Sequence, residues 1–206
     1  MATGYPVGLY VDYPDRKLNK LTTFFRIFMV IPILIILSLL MGGSYQSGVK
    51  EGGAFIAGAG FVILPLILMI LFRKKYPKWW YDWNLNLSMF IYRIDAYIYL
   101  LTDVYPSTDE EQLVHVELPY PDANVLNRWL PLVKWFLAIP HIIVMAFLGI
   151  AVLIVAIIAW FAILFTGNYP KGLFDFVVGV MRWGFRVAAY ALMLVTDKYP
   201  PFSLEV

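Results

Sequence analysis

Two long apolar blocks dominate the chain, and each gives way to a stretch in which charges return at helical spacing. In the first block, Ile27–Met41 and the uncharged Ala54–Phe72 flank Gly42–Gly53, a loop with a glycine pair at each end. Ala54–Phe72 suits one crossing of a ~30 Å hydrocarbon core. The shorter Ile27–Met41 becomes a span if Arg26 snorkels to the headgroups. The pattern predicts a membrane hairpin over 21–72. The second block, Trp135–Phe165, has no charged residue and only His141 as a polar interruption. As one helix it runs ~45 Å, too long for the core without steep tilt. A second hairpin is expected over 130–166, with legs at about 133–148 and 150–166 turning near Gly149. A single tilted helix is the alternative.

Beyond each block lies an amphipathic helix, expected at 83–101 and 173–195. Asp82, Asn86, Met89, Arg93 and Tyr97 share one face, and Asp175, Gly179, Arg182, Arg186 and Tyr190 share another. An arginine at the bilayer centre costs ~2.5–3.5 kcal/mol on insertion scales, so both helices are placed in the interface plane. If they cross instead, the chain becomes an inverted repeat of the transporter kind. Pro6–Val11 and Leu113–Leu118 alternate apolar with outward positions and predict paired strands. The tail Phe202–Val206 is a candidate third strand of this sheet, set against the cytoplasmic membrane face.

The two halves of this pattern resemble each other in order. Tyr13-Pro14-Asp15 returns as Tyr120-Pro121-Asp122, Arg26 to Pro32 as Lys134 to Pro140, and Tyr76-Pro77-Lys78 as Tyr169-Pro170-Lys171. Arg93 and Tyr97 align with Arg186 and Tyr190, and Thr102-Asp103 with Thr196-Asp197. Such self-similarity predicts two tandem units, 1–108 and 109–206. The expected fold is mainly α and membrane-integral: strand, helical hairpin and amphipathic helix, twice, with a small β-sheet at the membrane face.

Composition sharpens this picture. Of 206 residues, 61% are hydrophobic and 15% charged, with a mean hydropathy of +0.73. A soluble domain is usually about 45–50% apolar and roughly 25% charged. The excess predicts contact with lipid. A net charge of +2 gives no basic surface for nucleic acid. Without cysteine, thiolate chemistry is excluded. Met1–Lys20 lacks the apolar core of a cleaved secretory signal. Lysines and arginines at 16, 17, 20, 73, 74, 75 and 78 flank the first hairpin, which predicts a multi-pass protein with a cytoplasmic N-terminus.

Candidates for chemistry are few. Arg93, Arg182 and Arg186 are the candidate lipid- or anion-contacting residues. Tyr76, Trp79, Trp80 and Tyr169 lie beside the turns as expected interfacial anchors. Asp82 and Asp175 are read as helix caps, and Asp103 and Asp197 as turn residues. Asp95 has no acidic counterpart, because Ala188 occupies its place. His141 reads as a hydrogen-bonded structural residue and His115 as a solvent-facing strand residue; neither makes a metal site. No catalytic residues, metal or cofactor are expected.

Lys134-Trp135-Phe136-Leu137-Ala138-Ile139-Pro140-His141, Ala159 to Gly167, Tyr169 to Phe176 and the tail Thr196 to Leu204 together resemble the bacterial membrane proteins of domain-of-unknown-function family 4389. The resemblance is specific over about 113–206 and looser over the first half. The first half departs from it at Ile33 in place of His141 and at Asp82-Trp83-Asn84 in place of Asp175-Phe176-Val177. It implies a bacterial cytoplasmic (inner) membrane address and no activity. The expected function is a non-enzymatic accessory or scaffold subunit of a membrane assembly, with membrane lipid and a protein partner or second copy as partners. Handling of a lipid or hydrophobic ligand is the alternative, and a small transporter ranks below both.

Overall fold

The computed structural model describes residues 4–40 and 66–205. The glycine-rich loop and the expected span 54–72, up to residue 65, lie outside the described residues. The chain is mainly helical, with one two-stranded antiparallel sheet. In order come β1 (Gly8–Val11), α1 (Lys20–Phe24), α2 (Arg26–Leu40), a π-helical turn (Met69–Arg73), α3 (Lys78–Ile98), β2 (Val114–Glu117), α4 (Leu130–Thr166) and α5 (Lys171–Ala191).

The expected strands pair, in the register Gly8 to Glu117, Leu9 to Val116, Tyr10 to His115 and Val11 to Val114. Their alternation places Leu9 and Val114 in the core while His115 stays outside. Among the described residues the sheet has only these two strands. The expected third, at Phe202–Val206, is corrected over its described residues 202–205, which form no ladder. Their carbonyls have other donors: Ser203 and Glu205 accept from Arg186, and Leu204 accepts from Arg182.

The expected hairpin at 130–166 is also corrected. α4 is one continuous helix of 37 residues, ~55 Å at the usual rise. A turn at Gly149 would leave several backbone groups unpaired among Phe147, Leu148, Ile150 and Ala151, none of which can cap them. Continuing the helix satisfies them internally. Pro131 sits in the first turn, where no donor is needed, and Pro140 is accommodated inside. Gly167 ends the helix at φ 79°, its amide donating to Ile163 O at 2.8 Å. α4 is the one described helix long and apolar enough to cross a membrane.

α3 and α5 start earlier than their amphipathic pattern suggests, because Pro77 and Pro170 precede them in extended conformation and Lys78 and Lys171 open the helices. They also stop earlier. Leu100 and Leu194, at φ 66° and 58°, take the left-handed conformation and turn the chain away. Asp82 and Asp175 are therefore fifth residues, not caps. α5 packs on β1 and along α4, α3 packs on β2 and α2, and α1 packs on α4. Each strand thus lies against the amphipathic helix of the other half of the chain. The main core, including Leu9, Ala96, Val177, Phe185 and Leu194, fills the space between sheet and helices.

Candidate functional site

Two buried cations lie where helices begin, each facing the chain just beyond the end of another helix. At the start of α2, Arg26 is buried with its guanidinium 3.9 Å from the centre of the Tyr97 ring, and its Nη1 donates to Thr102 O at 2.8 Å. The snorkelling expected of Arg26 is corrected: its charge faces a ring and a carbonyl within the protein. The next residue, Asp103, accepts from Arg16 at 2.9 Å and from the Asn19 amide at 3.3 Å. Near the start of α4, Lys134 is fully buried, lies 5.0 Å from the Tyr190 ring centre and donates to Thr196 O at 2.7 Å. Asp197 follows, 2.8 Å from the Lys134 ammonium and accepting from the Asn127 amide at 2.6 Å. Val104 and Lys198 each donate their amide to the preceding threonine hydroxyl at 3.1 Å. Asp103 and Asp197 are thus turn residues that also receive charge.

Arg93, Arg182 and Arg186, the candidate anion contacts, are turned to the chain's own carbonyls. Arg93 Nη1 donates to Ser107 O at 2.8 Å. Arg182 links β1 to the tail, donating to Leu9 O and Leu204 O, both at 3.0 Å. One turn further, Arg186 donates to Ser203 O at 3.3 Å and Glu205 O at 2.5 Å. The structure brings Arg182 and Arg186 together under the tail, while Arg93 holds a separate segment. Burial pulls both α5 guanidinium pKa values below the ordinary range, and at Arg186 the charge of Arg182 adds to it. Gly179 lets the tail approach: a Cβ there would lie 2.9 Å from Leu204 Cβ and 3.0 Å from its carbonyl oxygen.

Of the four expected interfacial anchors, only Trp79 is exposed, at 67%. Tyr76, Trp80 and Tyr169 are corrected to core residues; the two tyrosines lie in turns covered by the opposite half. Tyr76 donates to Met193 O at 2.6 Å, and Tyr120 donates to Tyr76 O at 2.6 Å. Tyr13 donates likewise to Tyr169 O. The two Tyr-Pro-Asp turns therefore each hold the Tyr-Pro-Lys turn of the other half.

His141 is fully buried and stacked on Phe202, ring centres 4.0 Å apart, with Nδ1 accepting from Trp183 Nε1 at 3.1 Å. That is the structural placement expected of it. His115 pairs with Asp12 at 3.0 Å on the surface. No group of three or more potential metal ligands comes together among the described residues.

Lys134, Asn19 and Asn127 were not singled out by sequence reasoning. The alignment of Arg26 with Lys134 and of Thr102 with Thr196 was the available signal for the first of them.

These contacts define a helical protein whose buried cations fasten chain segments, and comparison with known families bears on its second half. Residues 129–203 match the model of a family described as "Domain of unknown function (DUF4389)". This supports the family resemblance from the start of α4 into the tail. No curated protein and no solved structure matches the chain.

Proposed function

We propose that the chain is an integral membrane protein of two tandem units that serves as a non-enzymatic accessory or scaffold subunit of a membrane assembly. The observation that carries the membrane placement is the surface of α4. Only 11% of its most apolar 18-residue window is buried inside the protein. Phe136, Phe147, Ile150, Leu153, Ile157 and Phe165 are all exposed along it. Exposed apolar surface of this extent has no place in water. The exposed Ile27, Phe28 and Ile31 of α2 extend it.

The two-unit reading is supported by contacts that recur at aligned positions: Arg26 on Thr102 O and Lys134 on Thr196 O, Asn19 on Asp103 and Asn127 on Asp197, Tyr13 and Tyr120 each on the opposite Tyr-Pro-Lys turn. Leu9 and Val116, which occupy equivalent places after aligning the Tyr-Pro-Asp turns, are themselves paired across the sheet. A two-fold relation between units puts equivalent residues face to face on its axis.

The scaffold reading is favoured over lipid handling at Arg93, Arg182 and Arg186 because those guanidiniums are already bound to carbonyls. A multi-pass topology in a bacterial cytoplasmic membrane, N-terminus inside, follows from the lysines and arginines around the first hairpin and from the family resemblance. Membrane integration is checked by alkaline carbonate washing, which leaves an integral protein in the pellet; full release into the wash ends that reading. The scaffold role is checked by extraction in mild detergent followed by native mass spectrometry. A protein partner at fixed stoichiometry is expected, and recovery of the chain alone would overturn it.

A further inference from the structure

The C-terminal end of α3 does not close on the middles of α4 and α5; between them lies a cavity of about 180 Å³. Its walls are largely apolar and its one ionisable acid is Asp95, flanked by Tyr92 and Tyr99, with Met145, Gly149 and Met181 among the facing residues. Positions 92, 95 and 99 are spaced three and four apart at the end of α3 and line the same cavity, so the two tyrosines flank Asp95 along one face. Asp95 has no hydrogen-bond or ion-pair partner among the described residues, and burial raises its pKa. It also sits in the last turn of α3, where the negative end of the helix dipole opposes a carboxylate and favours a cation.

We propose that this cavity is a binding site for an organic ammonium ion carrying a small apolar body. The ammonium sits on Asp95 between the faces of Tyr92 and Tyr99, where ring quadrupoles add to the charge attraction. The body lies against Met145, Met181 and the bare backbone of Gly149, with the thioethers adapting to its shape. A cavity of ~150 Å³ takes benzene, so this one fits a single ring or a short chain. A hard metal cation is a poor fit, because calcium needs about six to eight oxygen ligands and the walls supply few. The ammonium comes either from a free lipophilic amine or from an aminophospholipid headgroup. The site does not depend on the scaffold reading, since α3 with its C-cap, α4 and α5 supply its lining residues.

The test uses the full chain in a neutral maltoside detergent at pH 8, titrated with benzylammonium by calorimetry, with benzoate as the anionic control. Saturable binding of one benzylammonium per chain and none of benzoate is expected. Asp95→Asn keeps the shape and removes the charge, and should weaken binding tenfold or more. Gly149→Val fills the cavity from a position whose Cβ meets nothing within 4 Å, and should abolish binding without disturbing the fold. No saturable binding to the wild type, or equal binding by both variants, overturns the site. One aminophospholipid retained per wild-type chain and lost in Asp95→Asn assigns the ammonium to lipid; benzylammonium binding without such retention assigns it to a free amine.

Discussion

A buried lysine with its ammonium on a main-chain carbonyl is a strong constraint, because leaving either group alone in an apolar interior is costly. Lys134 is such a residue, held by Thr196 O and by Asp197. Lys134→Met removes the charge and strands both acceptors, and should cost about 2–4 kcal/mol. For a chain of this size that is roughly 5–15 °C in midpoint, read by thermal unfolding in detergent. The cations themselves were visible in the sequence, but their roles were not. Arg26, Lys134, Arg93, Arg182 and Arg186 bind backbone carbonyls, and every residue has one, so the identity of the partner leaves no mark on the chain. Asp95 shows the opposite sign of the same physics. Burial raises its pKa to about 7 from an ordinary 3.8, so the folded state holds the proton where the unfolded state has lost it. Stability from this residue is therefore complete below about pH 4, falls as pH rises toward 7, and stays reduced above. In the absence of amine, Asp95→Asn should raise the unfolding midpoint by several degrees at pH 8 and change it little at pH 4. An offset independent of pH would contradict a half-buried carboxylate that has no partner among the described residues.

Among the elements, those with a clear period were legible and those that depend on distant covering were not. β1 and β2 followed from alternation, and α3 and α5 from faces of three and four. The turn expected at Gly149 came from matching segment length to a bilayer, a weaker constraint than the need to pair every backbone group in an apolar helix. Gly149→Ala separates the two forms. In a continuous helix alanine gains about 1 kcal/mol over glycine, and no atom lies within 4 Å of the added Cβ, so the midpoint should rise by about 2–4 °C. A tight turn needing glycine would respond with a fall. The tail failed as a strand for a different reason: the arginines of α5 claim its carbonyls one by one. Gly179 is what lets it lie so close, and Gly179→Val should push Leu204 away, freeing the C-terminus to carboxypeptidase while the rest of the chain stays folded.

At the scale of the whole molecule, the halves are interlocked and do not simply sit side by side. β1 packs on α5 and β2 on α3, so the strand of each half covers the amphipathic helix of the other. Tyr13 and Tyr120 tie the same exchange at the turns. On the proposed two-unit reading, the sequence alignment fits two separate bodies and two exchanged ones equally well. Choosing between them requires the strand partners, which only the fold supplies. The exchange has a physical consequence. Residues 1–108 alone would leave the α3 face under β2 bare, and residues 109–206 alone would uncover Arg182 and the α5 face under β1. Each fragment would then expose core positions such as Ala96 or Val177, which are buried in the intact chain. Expressed singly, both fragments should aggregate or be degraded. Expressed together, they should co-purify at equal stoichiometry, because the β1–β2 ladder and the two tyrosine contacts all run between them. His115→Pro removes a ladder donor in β2, because the Asp12–Leu113 bond makes Tyr10 and His115 a hydrogen-bonded pair, and should lower the yield of the reconstituted pair more than it lowers the stability of the intact chain, where covalent linkage holds the halves near each other at high effective concentration. Separate folding of either fragment to a stable, protease-resistant form would mean that the strands can turn back onto their own helices, and the interlocked arrangement would then be dispensable.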